Sequence, residues 1–150
     1  MTGAARAGEA VPGCALCGAP GGEIVWQDDR LRVILPDEPD HPGLTRVVWS
    51  AHAAEMTDLV PADREHLMAI VWRVEQAQRA ALQPDKVNLA SLGNVVAHLH
   101  WHVIPRWRDD RHFPQPIWAP PAPGRDGQAA RARALARLPA YRAALAALPG

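Results

Sequence analysis

His98-Leu99-His100-Trp101-His102-Val103-Ile104 alternates an imidazole with an apolar side chain three times and then runs apolar. In an extended strand, successive side chains point to opposite faces. His98, His100 and His102 then share one face at intervals of about 6.6 Å along the chain. Leu99, Trp101 and Val103 share the other, which suits a core. A helix would splay the same imidazoles around its axis, so the alternation predicts a strand that presents three rings to one cleft.

Outward from this strand, residues 86–90 read as the strand before it, joined by a loop containing Gly93. Upstream, Pro61 begins a helical pattern to Leu82, with Leu67, Ile70, Val71, Val74, Ala77 and Ala81 forming one apolar stripe. Pro61 suits the first turn, Asp63 and Glu65 suit the positive end of the helix dipole, and Gln83-Pro84-Asp85 stops it. Residues 23–26 and 31–35 are β-rich runs around the polar spacer Gln27-Asp28-Asp29-Arg30 and read as a hairpin. Residues 36–43 hold three prolines and a glycine, a loop. Residues 46–49 read as a third strand. Residues 105–123 are irregular and rich in Pro and Trp. Residues 125–148 are Ala/Arg-rich and predict two short helices broken at Pro139. Short links favour antiparallel pairing, so the expected class is α+β. The expected organisation is a flexible arm at 1–13, a domain at 14–118 and a Pro/Ala-rich helical extension at 119–150.

A length of 150 residues favours one domain with a real core. Basic and acidic residues number 16 each, a balance that argues against binding a nucleic-acid polymer. Lys86 is the only lysine, the other basic residues being arginines. No apolar run approaches the roughly 20 residues of a membrane span, and residues 1–12 lack the apolar centre of a secretory signal. Two cysteines make no disulfide framework, so a cytoplasmic protein is expected.

Three imidazoles on one face can supply a nucleophile, a ring to hold a phosphate oxygen and a proton donor. A zinc chelate is the second chemical reading, since His-x-His on a strand can hold that ion. An exposed polar face is the bland one. Cys14-Ala15-Leu16-Cys17 is half a zinc site, a redox pair or two idle thiols. Its Gly/Pro-rich setting argues against redox work.

The triad run fits the pattern of the histidine-triad (HIT) superfamily: histidine and apolar residues in alternation, closing on two apolar positions. Its surroundings, Asn88-Leu89-Ala90-Ser91-Leu92-Gly93-Asn94 and then His-Leu-His-Trp-His-Val-Ile-Pro-Arg, resemble bacterial members named as dinucleoside polyphosphate hydrolases. Ile24-Val25-Trp26-Gln27-Asp28-Asp29-Arg30 and Arg46-Val47-Val48-Trp49 are similar to the family's opening hairpin and third strand. The likeness covers residues 14–118. It implies a mostly antiparallel five-stranded sheet with two main helices, usually in a homodimer. It also implies cleavage at the α-phosphorus of a dinucleoside polyphosphate or nucleoside phosphoramidate. His100 is then the nucleophile that forms a nucleotidyl-histidine, His102 contacts the α-phosphate, and His98 belongs to the supporting or metal shell. A histidine at 102, where a sister transferase branch has glutamine, favours hydrolysis.

The resemblance assigns Asn94 to phosphate and Asn88 to the neighbourhood of the substrate. A loop Asn beside Gly93 and an ordinary strand residue are their plain alternatives. The ungapped hairpin puts Pro36 where one branch carries its ribose-binding acid, which leaves the adjacent Asp37 as candidate. Ile24 and Ile34 line a base pocket or pack the core. In some bacterial members a histidine past the third strand and the first triad histidine complete a metal site. Here that set is Cys14, Cys17, His52 and His98, a closed and therefore structural zinc site; no organic cofactor is implied. His41, His66 and His112 have no partner evident in the sequence, and His66 is expected on the polar face of the long helix. Arg106, Arg108 and Arg111 meet a polyphosphate tail or, the favoured reading, form a solvated loop. Trp118-Ala119-Pro120-Pro121 resembles the Trp-Pro-Pro ending of one branch. Two other functions remain open: a metallohydrolase whose triad holds zinc, and a nucleotide-binding module with little turnover.

Overall fold

The computed structural model describes residues 8–149; residues 1–7 of the expected arm lie outside the described residues. The strands are β1 (Glu23–Gln27), β2 (Leu31–Leu35), β3 (Thr45–Trp49), β4 (Lys86–Ala90) and β5 (His100–Arg106). They form one sheet in the order β1-β2-β3-β5-β4, with every neighbouring pair antiparallel. The helices are α1 (Ala15–Gly18), a single turn, and the long α2 (Pro61–Leu82) and α3 (Gln128–Ala146). No helix among the described residues is long and apolar enough to cross a membrane.

The hairpin turn is set by Asp28, whose carboxylate accepts from the backbone N–H groups of Arg30 and Leu31. Its second oxygen lies 2.6 Å from His66 Nε2, which ties the hairpin to α2. One face of the sheet carries Leu31, Val33, Leu35, Val47, Trp49 and Val103 into a core shared with α2 and α3. The α2 stripe runs through Leu67, Ile70, Val71 and Val74 as expected, then ends on buried Gln78 and Leu82. Ala77 and Ala81 pack at its margin. Gln78 is tolerated there because its amide donates to the carbonyls of Gly43 and Val103.

The fifth strand begins at His100 and not at His98, and it continues to Arg106. Its partner β4 ends at Ala90, opposite His102, so residues 98 and 99 have no neighbour on that side. The chain there bends at His98 but is tied on the other side, where Trp49 N–H donates to Leu99 O and Leu99 N–H donates to Ala53 O. The two helices expected around Pro139 are one helix. Ala130, Ala134, Tyr141 and Leu145 form a buried stripe that spans the proline and joins the core of the sheet. Tyr141 Oη meets Thr45 Oγ1 at 2.5 Å inside that core. Packing and this bond outweigh the lost backbone donor of one proline.

Arg106 is 2% exposed and bonded at both ends of its fork to Asp110, whose side chain is equally buried. It also donates to Asn88 Oδ1 and to Gln115 O. Asp110 in turn accepts from the N–H groups of Trp107, His112 and Phe113. Arg106 therefore neither meets a substrate nor sits in solvent, while Arg111 pairs with Asp40. Beside this pair, His41 Nε2 and His112 Nδ1 lie 2.8 Å apart in a buried hydrogen bond.

Burial pushes His41 down from 6.5 to about 4, with Asp110 and Asp40 pulling up, His112 and Arg106 pushing down. A lowered histidine leaves the native state reluctant to take a proton. Above pH 6.5 both native and unfolded chains are neutral there and stability is full. As pH falls towards 4, the unfolded chain is protonated first and stability is lost. Urea unfolding is expected to show about 2 kcal/mol of such loss between pH 7.5 and pH 5 from this residue. In His41→Asn that component should vanish; an unchanged acid slope in the variant would remove His41 as its source.

Candidate active site and metal centre

The face of the sheet opposite α2 is built by strand register. Ile24, Ile34, Arg46, His102 and Ala90 pair in sequence across all five strands, so they form one row. Arg32, Val48 and His100 form the next. Directly paired residues share a face, so the arrangement of this surface follows from the ladder alone.

The three histidines divide between a thiol-imidazole cluster and a pocket. His98 Nε2–H donates to Trp49 O at 2.6 Å. That bond leaves the Nδ1 lone pair aimed at Cys14 Sγ and Cys17 Sγ, 3.5 and 3.4 Å away. His52 Nδ1 lies 3.3 Å from Cys17 Sγ. One donor atom from each of Cys14, Cys17, His52 and His98 falls within 4.8 Å of the others. Two thiols and two imidazoles so gathered fit a tetrahedral zinc ion. A ring whose second nitrogen donates to a backbone carbonyl has the tautomer a metal ligand requires. Cys14 stands at the start of α1 and Cys17 within its turn, and Leu16 between them packs on Ile34 and Val48. The centre therefore pins α1 to the sheet.

His100 turns the other way. Its Nδ1–H donates to His98 O at 2.6 Å, which leaves Nε2 bare in a pocket of about 530 Å³. His102 stands edge-on to it, with ring centroids 4.9 Å apart. Arg46 Nε donates to His102 Nδ1 at 3.4 Å, so His102 Nε2 carries the proton. Burial lowers His100, with Arg46 adding to the effect against the bond to His98 O. Burial, then His100 and Arg46, take His102 down to about 4. The pair thus offers one lone pair and one N–H at neutral pH.

Asn94 lines this pocket with Leu92, Val96 and Trp118, whose ring is 5.0 Å from that of His102. Gly21, at φ +88°, lines it near α1; a Cβ there would come within 2.6 Å of Leu16 Cδ2. The other expected substrate residues are placed elsewhere. Ile34 is fully buried between Leu16 and Val48 and forms the floor beneath α1. Asn88 lies on β4 with its side-chain oxygen held by Arg106. Asp37 is exposed and lines a separate groove beside α3 with Arg131 and Leu135. None of His98, His100 and His102 lines that groove. Arg46 is the pocket residue that sequence reading passed over. Its signal was a charged side chain in the middle of an otherwise β-rich run, Thr45-Arg46-Val47-Val48-Trp49.

A family model described as HIT domain matches residues 21–109. Among curated relatives, an AP-4-A phosphorylase from Mycobacterium tuberculosis is 28% identical over 98 residues, 61% of this chain. The match spans 50% of that longer protein. Among solved structures, a histidine triad protein from Bradyrhizobium japonicum superposes with a TM-score of 0.67 at 25% identity, covering 84% of this chain and 89% of its own. A zinc-bound histidine triad family protein from Mycobacterium smegmatis is similar at a TM-score of 0.52 and 27% identity, covering 85% and 94%.

Proposed function

Because this chain belongs to the HIT domain family, we propose that it is a nucleotide hydrolase acting at the α-phosphorus of a dinucleoside polyphosphate or nucleoside phosphoramidate. The observation that carries the reading is the bare Nε2 of His100, oriented by the bond from Nδ1–H to His98 O. Attack by that nitrogen forms an N–P bond as the P–O or P–N bond to the leaving group breaks, its electron pair departing with the leaving group. Water then attacks the same phosphorus and gives up a proton to solvent, while the N–P bond breaks with its electron pair returning to His100 Nε2, releasing a nucleoside monophosphate. His102, with its proton on Nε2, holds a phosphoryl oxygen through both steps. Asn94, at the mouth of the pocket, supports the same oxygens. The relative named as an AP-4-A phosphorylase supports a dinucleoside polyphosphate as the substrate class.

Zinc held by the triad itself as a catalytic ion is disfavoured. His98 faces two sulfurs, and the donor cluster found there does not include His100 or His102. The four-residue centre is read instead as structural zinc, supported by its donor set and by the zinc-bound relative. Bound zinc would supply a closed tetrahedral tie and no reactive water. By holding α1, it keeps the wall formed by Ala15, Leu16 and Ala19 on the pocket. A homodimer, with β4 at the sheet edge and Leu89 partly exposed on it, completes the reading.

Two outcomes are expected. His100→Ala should lose at least about 10³-fold in kcat on a fluorogenic adenosine phosphoramidate while keeping AMP affinity. Brief incubation of the wild type should leave a nucleotidyl group on the peptide holding His100, seen by mass spectrometry. A variant that still turns over, or a label on another residue, overturns the assignment. Purified protein should carry about one zinc per chain. Cys17→Ser should lose that metal and melt at lower temperature; full zinc retention in this variant would remove Cys17 from the site.

A further inference from the structure

We propose that Arg46 is a phosphate-binding residue of this pocket, closing its guanidinium on the non-bridging oxygens of the substrate's reacting phosphoryl group. The proposal rests on the reading of the pocket as a nucleotide site and names the group that neutralises the nucleotide's charge there.

Register places Arg46 between Ile34 and His102 in the row that crosses the sheet. Adjacent strands lie about 4.8 Å apart, so its side chain rises next to His102 and one strand from His100. It lines the same pocket as both histidines. A phosphoryl group within reach of His100 Nε2 and His102 Nε2–H therefore lies within reach of a long side chain rooted at 46. His102 is neutral at pH 7, pushed to about 4 mainly by burial, so it supplies a donor without a charge. The anion needs a cation from another source.

Two arginines occupy this face, and their hydrogen bonds divide them. Arg32 is spent: its guanidinium donates to the carbonyls of Leu16, Ala19 and Pro20, closing the end of α1. Arg46 makes one bond, from Nε to His102, which leaves both terminal nitrogens uncommitted among the described residues. Glu38 is the acidic group whose field reaches it, raising its pKa against the lowering by burial. Among the described residues Glu38 forms no ion pair with it within 4 Å. A half-buried guanidinium with its planar fork free matches the geometry of two phosphoryl oxygens. The bond through Nε fixes the plane of that fork before a ligand arrives.

Calorimetric titration of adenosine, AMP and ADP tests this against wild type, Arg46→Met and Arg46→Lys. Wild type should prefer AMP to adenosine. Arg46→Met should lose roughly 10- to 100-fold in AMP affinity, the scale of hydrogen bonds to a charged group, with adenosine little changed. Arg46→Lys, which keeps charge without the fork, should recover part of the loss. Adenosine binding reports an intact pocket in each variant. AMP affinity that survives Arg46→Met, or a loss shared equally by adenosine and AMP, overturns the assignment. A wild type that prefers AMP through Arg46 but never labels His100 would sink the enzymatic reading and leave this one standing. A wild type that binds none of the three ligands would remove both.

Discussion

The register of β5 between β3 and β4 is the constraint from which the rest of the site follows. Alternation along an extended strand sends every second side chain to one face. Antiparallel pairing then sets Arg46 beside His102 and Val48 beside His100. A slip of one residue would bury the imidazoles under α2 and expose Trp101 and Val103 in their place. The core side chains on the opposite face hold the register, so the same packing that stabilises the sheet also aims the imidazoles.

Backbone carbonyls do the finer positioning. Trp49 O and His98 O each accept one imidazole N–H, and each thereby selects which nitrogen of the ring keeps its lone pair. One choice turns His98 towards sulfur and the other leaves His100 Nε2 towards the pocket. Neighbouring residues of identical type thus come to face a pair of thiols and an open pocket. The two are joined mechanically through α1, which follows Cys14, carries Cys17 and walls the pocket.

Arginine plays opposite parts on the two sides of this region. Arg106 is buried with every direction of its fork satisfied, the condition under which a buried ion pair is tolerated. It braces β5 against β4 and the loop after the triad, and it engages Asn88 in that brace. Arg46, the second residue of β3, bonds only through Nε and keeps its fork free. Residue type alone does not separate them; the number of acceptors each one meets does.

Much of this was legible in the sequence because the signals were local. Pro61 and Gln83-Pro84 bounded α2, and β-rich runs between turn residues located the strands. The alternation at 98–104 announced a strand with imidazoles on one face. The resemblance to the family implied the Cys14, Cys17, His52 and His98 set that the fold gathers. What depended on distant partners was not legible. Pro139 sits inside one helix because a buried stripe and the Tyr141–Thr45 bond hold both sides of it. His41 and His112 find each other across 71 residues of chain. The resemblance pointed to Asp37 and Ile34, yet Asp37 lines the groove beside α3 and Ile34 is buried beneath α1. Sequence alone determined which residues alternate and where α2 starts and stops, since those depend on neighbours along the chain. Tertiary structure decided which nitrogen and which arginine reach the pocket, since those depend on hydrogen-bond partners that only folding brings within 3 Å or so.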